Sequence, residues 1–124
     1  MTLKSVRLEL ARAKDHPAGD PRHAFVVRAP VDSYGFLDNE AFNKSRDLCS
    51  VTKISPDTGD ETGRLIHTRK GWAFSYAAGD QDDEPIFNLA RHPLRTGEYV
   101  TITEHDGEER TFRVVSVDDV RLSA

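Results

Sequence analysis

Between Gly97 and Asp118 the chain reads GEYVTITEHDGEERTFRVVSVD, two apolar–polar alternations separated by Asp106-Gly107. Val100 and Ile102 alternate with Thr101 and Thr103. Phe112 and Val114 alternate with Thr111 and Arg113, and Val115 and Val117 follow. A period of two is that of a half-buried strand, whose successive side chains point to opposite faces. Asp-Gly signals a hairpin because glycine takes positive φ without steric cost. A two-residue loop of Asp106 and Gly107 sets Ile102 against Thr111 and Val100 against Arg113, mixing apolar and polar side chains on one face. The neighbouring register sets Ile102 against Phe112, Val100 against Val114 and Glu104 against Arg110. A one-residue slip sends every side chain to the other face, so the second register is expected. It needs a bulge or an odd loop of about three or five residues. Val114-Val115 breaks the alternation, which predicts a bulge or a strand covered on both faces.

The rest of the chain is punctuated in the same way, with its six prolines and eight glycines falling almost entirely between apolar segments. Val6, Leu8 and Leu10 predict a first strand ending near Ala11 or Arg12, although Leu3, Val6 and Leu10 also fit a helical stripe. After a loop over Asp15 to Arg22, a second strand from His23 to Pro30 is expected to pair with it. Asp38 is placed to N-cap a short helix from Asn39 to about Asp47, with Leu37 and Phe42 at hydrophobic-staple positions. Cys49 to Ile54 reads as a strand and Ser55 to Gly63 as an exposed loop. Arg64 to Arg69 and Trp72 to Ala77 flank Lys70-Gly71, a second hairpin that pairs Arg69 with Trp72, His67 with Phe74 and Leu65 with Tyr76. One face of it carries Leu65, His67, Trp72, Phe74 and Tyr76 and is expected to join the core. Gly79 to Pro85 is an acidic loop and Ile86 to Leu89 a short strand. The expected fold is mainly β, a small β-barrel or two-layer sandwich of about seven strands with one short inserted helix.

Residues 1–124 are the length of a single globular domain, and 37% apolar with 31% charged residues is a globular balance. The lone Cys49 forms no internal disulfide, and its default reading is a buried structural thiol. No apolar run approaches the ~18 residues of a membrane span, and a signal peptide's apolar segment is missing, so a cytoplasmic location is expected. Seventeen basic against twenty-one acidic side chains give a net charge of −4. That balance disfavours a nucleic-acid partner, whose binding rests on neutralising phosphates.

Three groups of residues could carry chemistry. His67, His92 and His105 lie far apart in sequence on segments that a barrel could bring together, and three imidazoles with an open position would hold zinc or iron. Their spacing matches no metal motif, so core or turn histidines are the competing reading. Arg69 beside Trp72 allows a cation–π contact, and with Tyr76 would form a recognition surface, against plain packing on an edge strand. Glu104, His105 and Asp106 set two carboxylates beside an imidazole, but successive strand residues point apart, which favours a solvated turn. The acidic stretches at Asp80, Asp82, Asp83 and Glu84, and at Asp57, Asp60 and Glu61, lack the glycine and closing glutamate of a calcium loop. Nucleophile-elbow, phosphate-loop and dinucleotide motifs are missing.

The ending GEYVTITEHDGEERTFRVVSV, together with GWAFSYAAGD and HPAGDPRHAF, resembles a family of small, uncharacterised bacterial proteins. That resemblance implies no activity. The Gly-Glu-Tyr-Val-Thr-Ile phrase also resembles the last hairpin of PUA-like RNA-binding barrels, over about a fifth of the chain. The leading expectation is a non-enzymatic barrel that binds a protein partner or small ligand, with no cofactor. The alternatives are a metal-dependent enzyme with a histidine-lined zinc or iron site, and an RNA-binding barrel.

Overall fold

A computed structural model describes residues 3–12, 17–56, 59–76, 83–87 and 89–120. Among these residues eight strands form one antiparallel sheet: β1 (Leu3–Leu10), β2 (Asp20–Pro30), β3 (Ser50–Ile54), β4 (Glu61–Thr68), β5 (Gly71–Ser75), β6 (Glu84–Pro85), β7 (Tyr99–Thr103) and β8 (Glu109–Asp119). Their order is β6-β5-β4-β3-β2-β1-β8-β7, and a single bridge between Ile86 and Ile102 brings the two outer strands together. The sheet is thus nearly closed into a barrel. Closure removes most of the unpaired edge that an open sheet exposes. No helix among the described residues is long and apolar enough to cross a membrane.

The inward face of each strand follows the alternation in the sequence. Val6, Leu8 and Leu10 of β1 meet Val27 and Phe25 of β2, and Val100 and Ile102 of β7 meet Phe112 and Val114 of β8. At the centre the Phe25 ring lies 5.1 Å from Phe74 and 4.9 Å from Phe112, centroid to centroid. Among the described residues the space between Val6, Leu8, Val27, Phe74 and Val100 has a void of about 10 Å³, too small to do more than touch the limit for one water molecule.

The two ends of the barrel are closed differently. Where β2 leaves the barrel, Val31 to Leu48 folds over the opening and carries helix α1 (Asn39–Lys44). Phe42 of α1, 2% exposed, meets Trp72 of β5 edge-on at 4.7 Å. The Asp38 side chain accepts a hydrogen bond from the Ala41 amide at 3.0 Å, as its N-cap position requires. We expect Asp38→Ala to cost about 1 kcal/mol, the usual worth of such a cap, read as a lower urea midpoint with unchanged slope. This apolar end contrasts with the opposite, polar end, where charged side chains fill the opening.

Several sequence expectations are corrected in detail. In the closing hairpin the inward face is as expected, but the register lies two residues away: Val100 faces Phe112 and Ile102 faces Arg110. The cause is the five-residue turn Glu104–Glu108. In it the Gly107 amide, at φ 84°, donates to the Glu104 carbonyl, and the Asp106 carboxylate accepts the Glu108 amide at 2.9 Å. The expected bulge is present, because β8 pairs Ser116 with Arg7 and Val114 with Leu8, leaving Val115 unmatched. In the second hairpin Arg69-Lys70, not Lys70-Gly71, forms the turn, so Trp72 faces His67 and Phe74 faces Leu65. Thr68 sets that choice: its hydroxyl accepts the Lys70 amide at 3.1 Å and donates to the Gly71 carbonyl at 2.9 Å. Strands β2 and β4 begin earlier than expected, at Asp20 and Glu61, because pairing to β1 and β3 extends them. The helix ends at Lys44 and a 3-10 turn over Arg46–Leu48 follows. Among the described residues Ile86 makes an isolated bridge before the 3-10 turn Leu89–Arg91, where the sequence predicts a strand from Ile86 to Leu89; Asn88 of that stretch lies outside the described residues. Most of the acidic loop, residues 79–82, lies outside the described residues.

Candidate functional site

The polar end is built by strands that each bring one charged side chain inward, in phase with their apolar residues. His23 precedes Phe25 and Val27 on β2, Lys53 follows Val51 on β3, and Glu84 precedes Ile86. Glu104 follows Val100 and Ile102, and Arg110 precedes Phe112 and Val114 on β8. Pleating therefore delivers all five to one opening. Lys53 is 5% exposed, Glu104 3% and Glu84 not at all.

Lys53 Nζ lies 2.5 Å from Glu84 Oε2 and 2.8 Å from Glu104 Oε2. Glu104 also meets His23 Nε2 at 2.8 Å and Arg110 Nη1 at 2.9 Å, so three nitrogen-bearing side chains surround one carboxylate. Arg110 continues outward to Asp106 at 2.9 Å, and His105 reaches Glu84 through both its backbone amide, at 3.1 Å, and Nδ1, at 3.2 Å. The Lys53 ammonium stands 5.6 Å above the Phe25 ring, which couples the network to the aromatic core. Beside it, Tyr76 Oη and Glu84 Oε1 are buried, and neither has a partner of standard hydrogen-bond geometry. Tyr76 packs over Gly63, where a Cβ would stand 2.7 Å from the tyrosine Cδ1 and 2.3 Å from the Ser75 carbonyl oxygen.

The electrostatics favour the charged forms of Glu104, Lys53, Asp106 and Arg110. For Glu104 burial works against ionisation, but the bonds from His23 and Lys53 outweigh it and hold the pKa down at about 2. For Lys53 burial works against the ammonium, and the bonds to Glu104 and Glu84 outweigh it and raise the pKa. Arg110 holds Asp106 below the ordinary range, and Asp106 raises Arg110 against its partial burial. Burial, then the Glu84 carboxylate, push the Tyr76 phenol up. Proton transfer near neutrality needs a group that titrates there, and neither Lys53 nor Glu104 does. At the apolar end, Cys49 is buried and its thiol is pushed up to about 11.

The residues singled out from the sequence fall elsewhere. His67 is exposed on β4 and stacks flat on Trp72, 4.2 Å away at 6°. His92 follows the 3-10 turn Leu89–Arg91, and its amide donates to the Leu89 carbonyl. Only His105 joins the charged network. Among the described residues no group of three or more His, Cys, Asp or Glu side chains is arranged to hold a metal ion, so the three histidines do not form one. Trp72 is 5% exposed and takes its stacking partner from His67 rather than Arg69, because of the shifted turn. Tyr76 lies four residues along the strand from Trp72, about 13 Å at the rise of a strand, and belongs to the polar end. Arg69, Trp72 and Tyr76 are therefore not one patch.

Arg69 and Trp72 do share a surface feature. They line a cleft of about 370 Å³ with Thr68, Lys70, Ala73, Asp83, Pro85 and Ile86. Trp72, Ala73, Pro85 and Ile86 supply an apolar wall. The Arg69 and Lys70 side chains stand at the rim, exposed, with no ion-pair partner among the described residues. Comparisons of the chain with known protein families, with curated proteins and with solved structures give no match.

Proposed function

We propose that the protein is a non-enzymatic binding module that takes its ligand on the outside of the barrel, in the cleft beside Arg69 and Trp72. The observation that carries this reading is the packed interior: among the described residues the void between Val6, Val27, Phe74 and Val100 is about 10 Å³, too small for a ligand. The outer cleft, at about 370 Å³, lies within the range of small-molecule sites. Its apolar wall and its two cations, which have no ion-pair partner among the described residues, suit an organic anion with a flat apolar body, either a free carboxylic acid or an acidic side chain of a protein partner. The locked charges of Lys53 and Glu104 support a binding role over a catalytic one.

Titration of the protein with indole-3-acetate, followed by amide and indole N–H chemical shifts, tests the reading. Saturable shifts are expected at residues 68–73 and Ile86, with about tenfold weaker binding in Arg69→Ala/Lys70→Ala, a loss of about 1.4 kcal/mol. Trp72 is unsuitable for truncation because it packs on Phe42. Shifts centred on Val6, Val27 and Val100 would place the ligand inside the barrel and overturn the reading. The lack of any saturable shift in the cleft would also overturn it.

A further inference from the structure

The barrel is closed very unevenly around its circumference. Strand β1 runs beside both β2 and β8 through long ladders, from Leu3 to Leu10 and from Lys4 to Leu10. Among the described residues β6 and β7 meet at an isolated bridge, Ile86 with Ile102, beside which the Phe87 amide donates to the Thr101 carbonyl at 2.8 Å. The chemistry of β6 explains the gap. It is two residues long, and Pro85 has no N–H to donate, so the ladder cannot be completed there.

Side chains make up what the backbone omits, and they all belong to the charged network. Lys53 Nζ, reaching from β3, contacts Glu84 on β6 and Glu104 at the end of β7 at once. His105, which follows β7, bonds back to Glu84 through its amide and its ring. The only carboxylate on β6 is thereby tied to the β7–β8 turn from inside the barrel. We infer that the β6–β7 seam is the place where this barrel opens, and that Lys53 with Glu84, Glu104 and His105 is the latch that holds it shut. Buried pairs of this kind contribute little net stability compared with an apolar filling, but their geometry is directional. That suits a closure whose release exposes Ile86, Ile102 and Val100 while the other strand pairs stay intact. The inference is independent of the ligand proposed for the outer cleft.

Hydrogen–deuterium exchange of single amides tests it, because local opening and global unfolding separate in such data. The Ile86 amide bonds to Trp72 of β5, and the Phe87 amide to Thr101 of β7, so neighbouring residues report on the two sides of β6. In Glu84→Gln, which keeps the shape and removes the charge, the Phe87 amide is expected to exchange about tenfold faster relative to wild type. The amides of Ile86, and of Leu8 and Val27 in the β1–β2 ladder, are expected to hold their rates. Lys53→Met also costs global stability, so there the Phe87 amide should accelerate by more than the amides of Leu8 and Val27, and if that variant does not fold, Glu84→Gln still decides. Uniform acceleration would reduce the network to a general stabilising element, acceleration of Ile86 together with Phe87 would place the opening at β5–β6, and unchanged rates would mean there is no latch. Each of these three results overturns the inference.

Discussion

Phe25→Ala is expected to destabilise the fold by about 3–5 kcal/mol, the range for removing a buried aromatic ring from a core. Phe25 is fully buried and is the ring shared by two aromatic contacts, to Phe74 at 5.1 Å and Phe112 at 4.9 Å. It also lies beneath the Lys53 ammonium. The surrounding sheet is held by ladders on both sides of β2, so the cavity cannot collapse, and the cost should fall at the upper end. For a domain of this length the loss corresponds to a fall in Tm of roughly 10–20 °C. Phe87→Ala serves as the control. Phe87 is 64% exposed, so its loss should stay within about 0.5 kcal/mol. Calorimetry showing equal changes for the two variants would contradict the packing described.

The second large effect is expected at Glu104. Glu104→Ala removes the carboxylate shared by Lys53, His23 and Arg110 and leaves the buried ammonium with Glu84 alone. Breaking a buried pair from one side costs about 3–5 kcal/mol, because the remaining charge is uncompensated. The pH dependence carries the same signature. The folded pKa of Glu104, at about 2, lies below its ordinary 4.5. The carboxylate therefore contributes stability that is fully present above about pH 5 and is lost as pH falls toward 2. The shift corresponds to about 3 kcal/mol at 1.36 kcal/mol per unit. Lys53 acts in the opposite direction. Its folded pKa is raised above 10.5, so its contribution is present below that value and is lost as pH climbs through the folded value. A stability plateau from near pH 5 to near pH 10 is the expected result. Glu104→Gln should flatten the acid limb, and equal acid limbs in urea titrations of variant and wild type would remove Glu104 as the group responsible.

The charged network was more legible in the sequence than the cleft, although its signal is easily passed over. Glu104 continues the inward alternation of Val100 and Ile102, and Lys53 continues that of Val51, while His23 and Arg110 each open one. A charge in phase with an apolar face, at the same end of several strands, marks a buried network. At Glu104-His105-Asp106 the adjacency of three polar residues draws the eye to a solvated turn instead. In fact Glu104 points in, Asp106 points out, and Arg110 contacts both. The Arg69–Trp72 pairing failed for a different reason. The Thr68 hydroxyl, by bonding to Lys70 and Gly71, moved the turn by one residue, and side-chain bonds inside a turn are invisible to a pattern of apolar and polar positions.

By itself the sequence determined the faces. A period of two assigns each side chain to the inside or the outside of a sheet. In the closing hairpin that assignment held although the register differed by two residues, since a shift of two leaves the faces unchanged. In the second hairpin it held for Leu65, Trp72 and Phe74, whereas His67 is exposed and Ala73, on the other face, is buried. It also determined the mainly β character, the cap at Asp38 and the bulge at Val115. Only the tertiary structure decided which strands are neighbours, and with that the meeting of Lys53, Glu84 and Glu104 across β3, β6 and the end of β7. Periodicity is local to a strand, whereas closure of the barrel depends on the order β6-β5-β4-β3-β2-β1-β8-β7. That order places the first and last strands of the sheet side by side, where a proline interrupts the ladder and a lysine from the far wall completes it.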